Sequence, residues 1–423
     1  MLALLSRFSF PEALPPALLG ILAAGALVAA AAHASPSAAA PEAARPWVLL
    51  AWDDSGDFGP GTPGTRTAGW QEALDFCAAH ARDLYVKGGY GGRQAIYHVD
   101  TTVRVPPAQD FRIDGGVYVI NFRGPDPAAD AFVIDSAMNC EYHLGIIVYG
   151  GTGAGLRVRP ERPVPIDGFP VVVETRVQSQ GIADPHPFTP GERRGGTGLV
   201  FDAGRADISY STFEFASVLN FATCIAVADS GRVYANQIAC DHLHTNAHNS
   251  TLAVLGAAAR QNQLRFGIGV DQGATGVTGI VLAGGANILD LATRPGGFTP
   301  GRQLVLAPAA AANHLRVRTE DSPLDLVTDG AEVATNQLSW TGPPLPIRTV
   351  EGPTGQWTYT QRLYPAVVAV AAGEPSRVRL RRGDATVDYG AARDRDLYLS
   401  VGDQLQIEGP NPSTLRIVPQ KTW

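Results

Sequence analysis

The sequence predicts an all-β protein whose central part is a parallel β-helix, a coil of short strands in which each turn lies on the one before. Three observations support this prediction. An Asn followed two residues later by a large aliphatic residue recurs with steps of 26, 25, 26 and 23 residues. A second apolar run keeps a similar period, and 47 Gly and 32 Pro among 423 residues indicate many turns. Repeats of about 20 to 50 residues are typical of stacked architectures. The recurring Asn residues are Asn236, Asn262, Asn287, Asn313 and Asn336.

Each repeat holds only short strands, which leaves no room for a helix between parallel strands. We therefore expect every strand to pair with its counterpart one coil later, about 4.8 Å away. Asn suits a fixed place in such a coil because it tolerates the left-handed turn conformation, and stacked amides can bond to one another. The spacing predicts that Asp207 begins this file of Asn residues, with Asn139 and Asp167 as earlier members.

Alternation with period 2 predicts which side chains face the core. The inward residues two and four positions after each Asn are predicted to be Ile238, Leu264, Leu289, Leu315 and Leu338, and Cys240, Phe266, Leu291 and Val317. The second run has apolar residues at its outward positions as well, predicted to be Val200, Ala226, Ala253, Val281 and Val305. A strand that is apolar on both sides needs a cover, which would be a neighbouring subunit or a returning segment.

Residues 1–34 have the features of an export signal: one early Arg, an apolar run and a small-x-small cleavage site. An uncleaved membrane anchor is the alternative, although the apolar run is short for a membrane span. The Ala- and Pro-rich residues 35–46 form a linker. The protein is thus expected to be secreted or periplasmic, with no membrane attachment after cleavage. The four cysteines match no zinc or redox spacing, and buried thiols are the simplest interpretation.

Residues 47–103 are predicted to form an N-terminal cap, followed by the β-helix at 104–341 and a small β domain at 342–423. The cap contains an Asp-rich turn, a helix over about Thr67 to His80 and a Gly-rich turn at 88–92. The predicted helix has one apolar face, formed by Trp70, Ala73, Leu74 and Cys77.

This succession resembles the N-terminal cap of the pectate-lyase-like, right-handed single-stranded β-helix proteins. The resemblance implies that the helix closes the open end of the coil, where core side chains and unpaired strand edges would otherwise be exposed. The block after Gly342 resembles the C-terminal β module of trimeric tailspike-type β-helices. It implies a homotrimer, in which a neighbouring chain would cover the apolar strand face.

Composition narrows the range of partners. A net charge of −7 without a basic cluster gives no reason to expect a nucleic acid. No motif indicates a cofactor. On a β-helix, an extended polymer would lie across several coils and meet outward side chains of neighbouring strands. A polysaccharide is therefore the expected partner.

The densest group of chemically active residues is the segment 241–248, which contains Asp241, His242 and His244. Glu214 lies one coil earlier at nearly the same place, and Asp271 follows one coil later. Two carboxylates and imidazoles at such a spacing suit general acid and base chemistry on a glycosidic bond or a uronate proton. Alternatively, the two histidines pack at a turn. A metal is not predicted, because a third ligand is not evident.

A further outward file, three residues after each Asn, contains Arg265, Asp290 and Arg316. Alternating charges one coil apart indicate a surface salt-bridge ladder, or else a groove that binds substrate together with Asp271.

The leading hypothesis is a secreted polysaccharide-active enzyme, acting by hydrolysis, glycosyl transfer or β-elimination, with Glu214 and Asp241 as its carboxylates and His242 or His244 assisting. A fructan is one concrete substrate, because inulin fructotransferases share a trimeric β-helix and an Asp/Glu pair, but no residue motif selects it. The competing hypothesis is a non-catalytic surface or appendage protein that binds glycan or only builds a spike.

Overall fold

The computed structural model describes residues 45–165, 168–185, 195–270, 273–293, 298–299, 302–320 and 327–420. The segment expected to be a signal, most of the linker, Asp167 and Asp271 lie outside these residues. The described residues contain one α-helix, α1 (Trp70–His80), and no helix among them is long and apolar enough to cross a membrane.

Three parallel sheets form the walls of the coil. Sheet 1 has thirteen strands, which form the face on which most of the candidate residues lie. These strands are Trp47–Leu50, Asp83–Val86, Ala95–Val99, Arg112–Gly115, Tyr118–Phe122, Glu141–Val148, Arg176–Ala183, Thr212–Leu219, Gln237–Thr245, Gln263–Val270, Ile288–Thr293, His314–Arg318 and Gln337–Thr341.

Sheets 2 and 3 complete each coil, with nine and six strands among the described residues. Sheet 2 consists of Val103–Val105, Phe132–Ile134, Ala154–Val158, Thr197–Phe201, Thr223–Val227, Thr251–Leu255, Thr278–Leu282, Leu304–Leu306 and Val327–Asp329. Sheet 3 consists of Ala108–Gln109, Ala137–Met138, Val171–Val173, Asp207–Ser209, Arg232–Tyr234 and Ala259–Arg260. Every strand pairs in parallel with the strand one coil away. The predicted all-β parallel β-helix is confirmed.

The core follows the predicted inward residues. All nine predicted inward side chains of sheet 1, from Ile238 to Leu338, are at most 2 % exposed. The predicted outward residues of the second apolar run, which forms sheet 2, are wrong at one coil. Ala253 pairs with Ile225 and faces inward, so Val254 occupies the outward position beside Ala226. The step from Ile225 to Ala253 is 28 residues, whereas the steps before and after it are 26 and 27, and the sequence pattern did not indicate this longer coil.

All four cysteines are buried and unpaired, as the simplest interpretation predicted. Burial raises the pKa of Cys77 and of Cys224 to about 12, so both remain neutral thiols at physiological pH.

The Asn residues form a continuous buried file, which we call the Asn ladder (Asn236, Asn262, Asn287, Asn313 and Asn336). From Asn262 onward each amide oxygen accepts from the Asn one coil earlier, as in the bond from Asn262 Nδ2 to Asn287 Oδ1 at 3.2 Å. The backbone N–H of Asn262 donates to the same oxygen at 3.0 Å. Each Nδ2 also donates to a backbone carbonyl of the coil before, as from Asn287 to Ala259 O at 2.9 Å. The ladder thus satisfies buried backbone groups that the turn leaves without partners.

The predicted start of the ladder is wrong. Ser211 precedes Asn236, and its backbone N–H donates to Asn236 Oδ1 at 3.0 Å. Asp207 lies instead on sheet 3, where it forms an ion pair with Arg232 across a Nε–Oδ1 distance of 2.8 Å. Asn139 occupies the left-handed position that precedes each of the first four Asn residues of the ladder, so it is one residue too early in its coil to belong to the Asn ladder.

The left-handed conformation also falls one residue earlier than predicted, on the residue before each of the first four Asn residues of the ladder and at the matching places of earlier coils. The φ angles there lie between 49° and 57°. These residues are Asn139, Glu174, Tyr210, Ala235, Gln261, Ala286 and Ala312. The residue before the Asn makes the turn, which leaves the Asn side chain free to point along the stack.

Helix α1 closes the N-terminal end of the coil. Its predicted buried residues Trp70, Ala73, Leu74 and Cys77 are buried. The ring of Trp70 contacts Tyr97, Tyr118 and Phe132 at centroid distances of 5.8, 5.7 and 5.7 Å. The apolar face of the helix therefore covers the first core layers.

A small C-terminal β domain follows the last coil, with two four-stranded antiparallel sheets and a core of its own. One sheet is formed by Arg348–Gly352, Ala366–Ala372, Leu397–Leu399 and Ser413–Pro419, and the other by Gly355–Thr360, Arg377–Arg382, Ala385–Asp388 and Gln404–Gly409. Arg362 attaches it to the last coil through an ion pair with Asp329 at 2.6 Å.

Candidate functional site

The outward side of sheet 1 presents one position per coil in a straight file, which we call the outward column, and eight of its nine residues are polar. Neighbouring members lie about 4.8 Å apart because parallel strands pair in register. From the N-terminal end the column reads Asp114, His143, Gln178, Glu214, Ala239, Arg265, Asp290, Arg316 and Ser339.

Glu214 is held by the coil before it. Its Oε2 accepts hydrogen bonds from Arg176 Nη2 at 2.9 Å and from Gln178 Nε2 at 2.5 Å. These bonds hold the pKa of Glu214 below its ordinary value of 4.5. The carboxylate is therefore ionised at neutral pH, a state that can accept a proton or attack a carbon but cannot supply a proton.

Asp241 and His242 face solvent together because their strand is irregular. The register with the next strand shifts between Cys240 and Leu243, where a β-bulge adds one residue. Two successive side chains consequently point outward, and the side chain of Asp241 is 67 % exposed. Its Oδ1 lies 3.6 Å from Arg265 Nη2.

Glu214 and Asp241 lie on neighbouring strands of the same face. Ala239 pairs with Glu214, and Asp241 is two residues farther along its strand. One strand spacing and two residues of rise place their Cα atoms about 8 Å apart. The structure thus brings the two candidate carboxylates to one surface, with Arg176, Gln178 and Arg265 beside them.

His244 is half-buried at the far edge of the same face. It pairs with Leu219 on one side and with Gly269 on the other. A Cβ added at Gly269 would lie 2.8 Å from the ring of His244, so the absence of a side chain there makes room for the imidazole. Among the described residues, no group of three or more His, Cys, Asp or Glu is arranged to hold a metal ion.

The predicted binding residues of the later coils stand in register along the outward column. Arg265 pairs in the sheet with Asp290, and Asp290 with Arg316. Arg316 Nη1 lies 3.7 Å from Asp290 Oδ1, and both side chains are exposed. Arg316 also lines a cavity of about 390 Å³ at the C-terminal domain, together with His314 and Tyr398. Asp271 lies outside the described residues.

A second charged cluster on this face was missed by the sequence interpretation. His143 Nδ1 lies 3.2 Å from Asp114 Oδ1, and His143 Nε2 lies 2.9 Å from Glu141 Oε1. Arg112 lies 3.1 Å from Asp114 and 3.6 Å from Glu141. Asp114 and His143 are 29 residues apart, a spacing that could have indicated neighbouring coils. It was missed because it differs from the period of the later coils.

Burial opposes ionisation of Asp114, but the N–H of Gly115, His143 and the charge of Arg112 outweigh it. The pKa of Asp114 therefore lies below its ordinary value of 3.8. The cluster thus keeps the carboxylate of Asp114 charged at neutral pH.

Comparisons with known proteins return structural likenesses only. No protein-family model and no curated protein sequence matches this chain. The tailspike protein of E. coli bacteriophage HK620 in complex with a pentasaccharide is 10 % identical, with 86 % of this chain and 90 % of that chain covered and a TM-score of 0.26. A mutant of the same tailspike with a pentasaccharide is 9 % identical over 83 % and 90 % of the two chains, with a TM-score of 0.26. Such low scores carry no argument about the chemistry of this chain.

Proposed function

We propose that this protein binds an extended polysaccharide along the outward column of sheet 1 and acts on it with Glu214 and Asp241. The observation that carries the proposal is the column itself. Its nine positions stand in register over eight strand spacings, a length of about 40 Å. A flat file of charged and amide groups of this length fits a long, hydroxyl-rich polymer.

The composition of the two main faces favours sheet 1 over sheet 2. Carboxylates, amides and guanidinium groups can donate to and accept from sugar hydroxyls, and charge-assisted hydrogen bonds are the stronger kind. The outward row of sheet 2 is apolar from Val200 to Val305. A glycan would therefore gain few hydrogen bonds on sheet 2.

Within this proposal, Glu214 is the base or nucleophile, because its lowered pKa keeps it ionised. Asp241 then supplies the proton to the leaving oxygen, with His242 assisting, since both are exposed on the adjoining strand. Arg176 and Arg265 flank the reacting position and orient the polymer. Hydrolysis, transfer and β-elimination all need such a base, and the arrangement does not select among them.

The test is the release of oligosaccharides from a broad panel of glycans by the wild type, Glu214→Gln and Asp241→Asn. Loss of a group that transfers protons lowers rates by about 100- to 10,000-fold, so each variant should lose at least about 100-fold in activity while still binding glycan. Glu374→Gln, an exposed carboxylate of the C-terminal domain, is the matched control and should retain full activity.

The products decide the reaction type, because only elimination leaves an unsaturated uronate that absorbs in the ultraviolet. If the wild type cuts no glycan in the panel, the enzymatic proposal is wrong. Binding without cleavage would then favour the alternative, a non-catalytic glycan-binding or structural surface protein.

We further propose that three copies of the chain associate through sheet 2. Its outward residues Ala226, Val254, Val281 and Val305 are apolar and only partly buried in a single chain. Burying such a row against a neighbouring copy contributes about 25 cal/mol per Å² of apolar surface.

We expect Val281→Glu to convert the trimer to monomers, whereas Arg265→Glu on sheet 1 should leave the trimer intact. Size-exclusion chromatography with light scattering measures the molar mass of each variant. A monomeric wild type would contradict this proposal.

A further inference from the structure

Two exposed aromatic side chains lie together at the N-terminal end of sheet 1. Trp47 is 37 % exposed and Tyr85 is 44 % exposed, although large aromatic side chains are usually well buried. Their ring centroids are 6.1 Å apart with an interplanar angle of 56°. Arg45 packs over the Trp47 ring at 5.0 Å and is itself held by Asp57 at 3.1 Å. The indole is thus kept in place at the surface.

These rings open onto a cavity that is lined by both apolar and charged side chains. The cavity has a volume of about 380 Å³ and is lined by Trp47, Asp83, Leu84, Tyr85, Arg112 and Asp114. Its size falls in the range of small-ligand sites, which combine apolar rings with a few polar groups that set orientation. We call this site the cap subsite.

The polar groups of the cap subsite are held in place by their own partners. Asp83 Oδ1 accepts from the backbone N–H of Arg112 at 2.9 Å, and Arg112 Nη2 lies 3.1 Å from Asp114 Oδ2. A carboxylate has about four acceptor positions, so Asp83 and Asp114 retain capacity for ligand hydroxyl groups.

The cap subsite is in line with the proposed reacting position. Tyr85 pairs in the sheet with Asp114, the first member of the outward column. Four strand spacings, about 19 Å, separate Tyr85 from Glu214 along the column. A polymer lying on the column would therefore reach the aromatic pair after a few sugar units.

Charge limits which sugar can lie there. Asp83, Asp114 and the nearby Glu141 carry negative charge, against the guanidinium of Arg112, while the guanidinium of Arg45 over the Trp47 ring is paired with Asp57. A uronate would meet net repulsion, whereas a neutral ring would not. The C–H face of a pyranose also matches the electron-rich face of an aromatic ring.

We infer that the cap subsite binds a neutral or N-acetylated sugar unit of the polysaccharide by stacking on Trp47 and Tyr85, and that it discriminates against uronates. This inference rests on the proposed function, because it assumes that a glycan occupies the outward column.

The experiment measures dissociation constants by calorimetry for hexaoses of glucose, N-acetylglucosamine, fructose and galacturonate. All variants carry Glu214→Gln so that the ligand stays intact. Trp47→Ala and Tyr85→Ala should each weaken the binding of the preferred neutral hexaose about tenfold, because each removes one ring from the stack. Tyr85→Phe keeps the ring and should retain binding. Phe169→Ala, an exposed aromatic outside the cap subsite, is the matched control and should have no effect.

A second comparison tests the role of charge. Asp114→Asn removes one negative charge and should strengthen hexagalacturonate binding several-fold relative to the neutral hexaose. Thermal unfolding and circular dichroism of each variant verify that the coil remains folded.

The outcomes separate the two proposals. If a neutral hexaose binds but neither aromatic truncation weakens it, the cap subsite is wrong and the proposed function stands. The same conclusion follows if hexagalacturonate is the preferred ligand. If no hexaose binds and no glycan is cut, both proposals are wrong.

Discussion

Two polar files run along the coil, and they differ in burial, in bonding and in extent. The Asn ladder is at most 2 % exposed, and its amides bond to each other and to the backbone at about 3 Å. The outward column is exposed, and the ion pairs of its later coils are long, at 3.6 and 3.7 Å. Both files place one residue per coil. From Glu214 onward the outward column has the same steps of 23 to 26 residues as the Asn ladder, whereas its earlier steps are 29, 35 and 36 residues.

The difference shows that a repeating polar residue has two separate uses in a solenoid. A buried file is needed for stability, since its groups satisfy backbone atoms that water cannot reach. An exposed file contributes little to stability, because water solvates its charges equally well in the unfolded chain. Its side chains are consequently free to vary and to meet a ligand. Substitutions at three kinds of position test this distinction.

The largest effect is expected at the centre of the Asn ladder. Asn287→Ala leaves two buried donors of Asn262, its backbone N–H and its Nδ2, without the acceptor Asn287 Oδ1. It also removes one of the two donors to the carbonyl of Ala259, which keeps the N–H of Gly285. Each unsatisfied buried group costs about 1 to 3 kcal/mol, so we expect a loss of about 3 to 5 kcal/mol in the free energy of unfolding. Guanidinium denaturation measures this loss. Gln263→Ala, an exposed neighbour, should change it by less than about 0.5 kcal/mol. A loss below 1 kcal/mol for Asn287→Ala, relative to about 3 expected, would contradict a structural ladder.

A buried carboxylate in the turn of an earlier coil should have the next largest effect. The side chain of Asp135 is 0 % exposed, and it accepts from Arg162 Nε at 2.7 Å and from the N–H groups of Ser136 and Glu161, both at 2.8 Å. Asp135→Asn replaces an acceptor with a donor that faces other donors. We expect a loss of about 2 to 4 kcal/mol at neutral pH.

The effect of Asp135→Asn should depend on pH. Burial opposes ionisation of Asp135, but the hydrogen bonds from Glu161, Arg162 and Ser136 outweigh it and hold its pKa below the ordinary 3.8. Because the folded pKa is lowered, the carboxylate contributes stability above the unfolded value and loses it as the pH falls through the folded value. The gap between wild type and variant should therefore narrow in acid. Asp384→Asn, at an exposed site, serves as control and should show no such convergence.

The smallest effect on stability is expected in the outward column. Arg265→Ala and Arg316→Ala each remove one exposed, long ion pair, so the free energy of unfolding should change by at most about 0.5 kcal/mol. Binding of a glycan hexaose should nevertheless weaken in both variants. A large loss of stability would show that the column is structural, which would remove the contrast with the Asn ladder.

Sequence reasoning succeeded where the coils are uniform. The period of the five Asn residues and the aliphatic residues two positions later predicted the coil, its core and the unpaired state of Cys240. It failed where coil length changes. Ala253 was misplaced by one residue, and the cluster of Asp114 and His143 was missed because its step of 29 residues differs from the later ones.

The candidate site was predictable in its members but not in its contacts. Glu214 and Asp241 were expected on adjoining coils, and they lie on neighbouring strands of one face. Their partners could not be read from the sequence, because Arg176 lies 38 residues before Glu214 and the bulge that turns Asp241 and His242 outward leaves no mark in the composition. The aromatic pair of Trp47 and Tyr85 likewise comes together only through pairing of two strands of the cap.

The sequence by itself determined that this chain stacks in coils and which side chains fill them, because a fixed period and a two-residue alternation are local properties of the chain. Only the tertiary structure decided which charges meet across coils and which conformation each turn residue adopts. Those outcomes depend on strand register, and a single additional residue in one coil shifts the register for every side chain beside it.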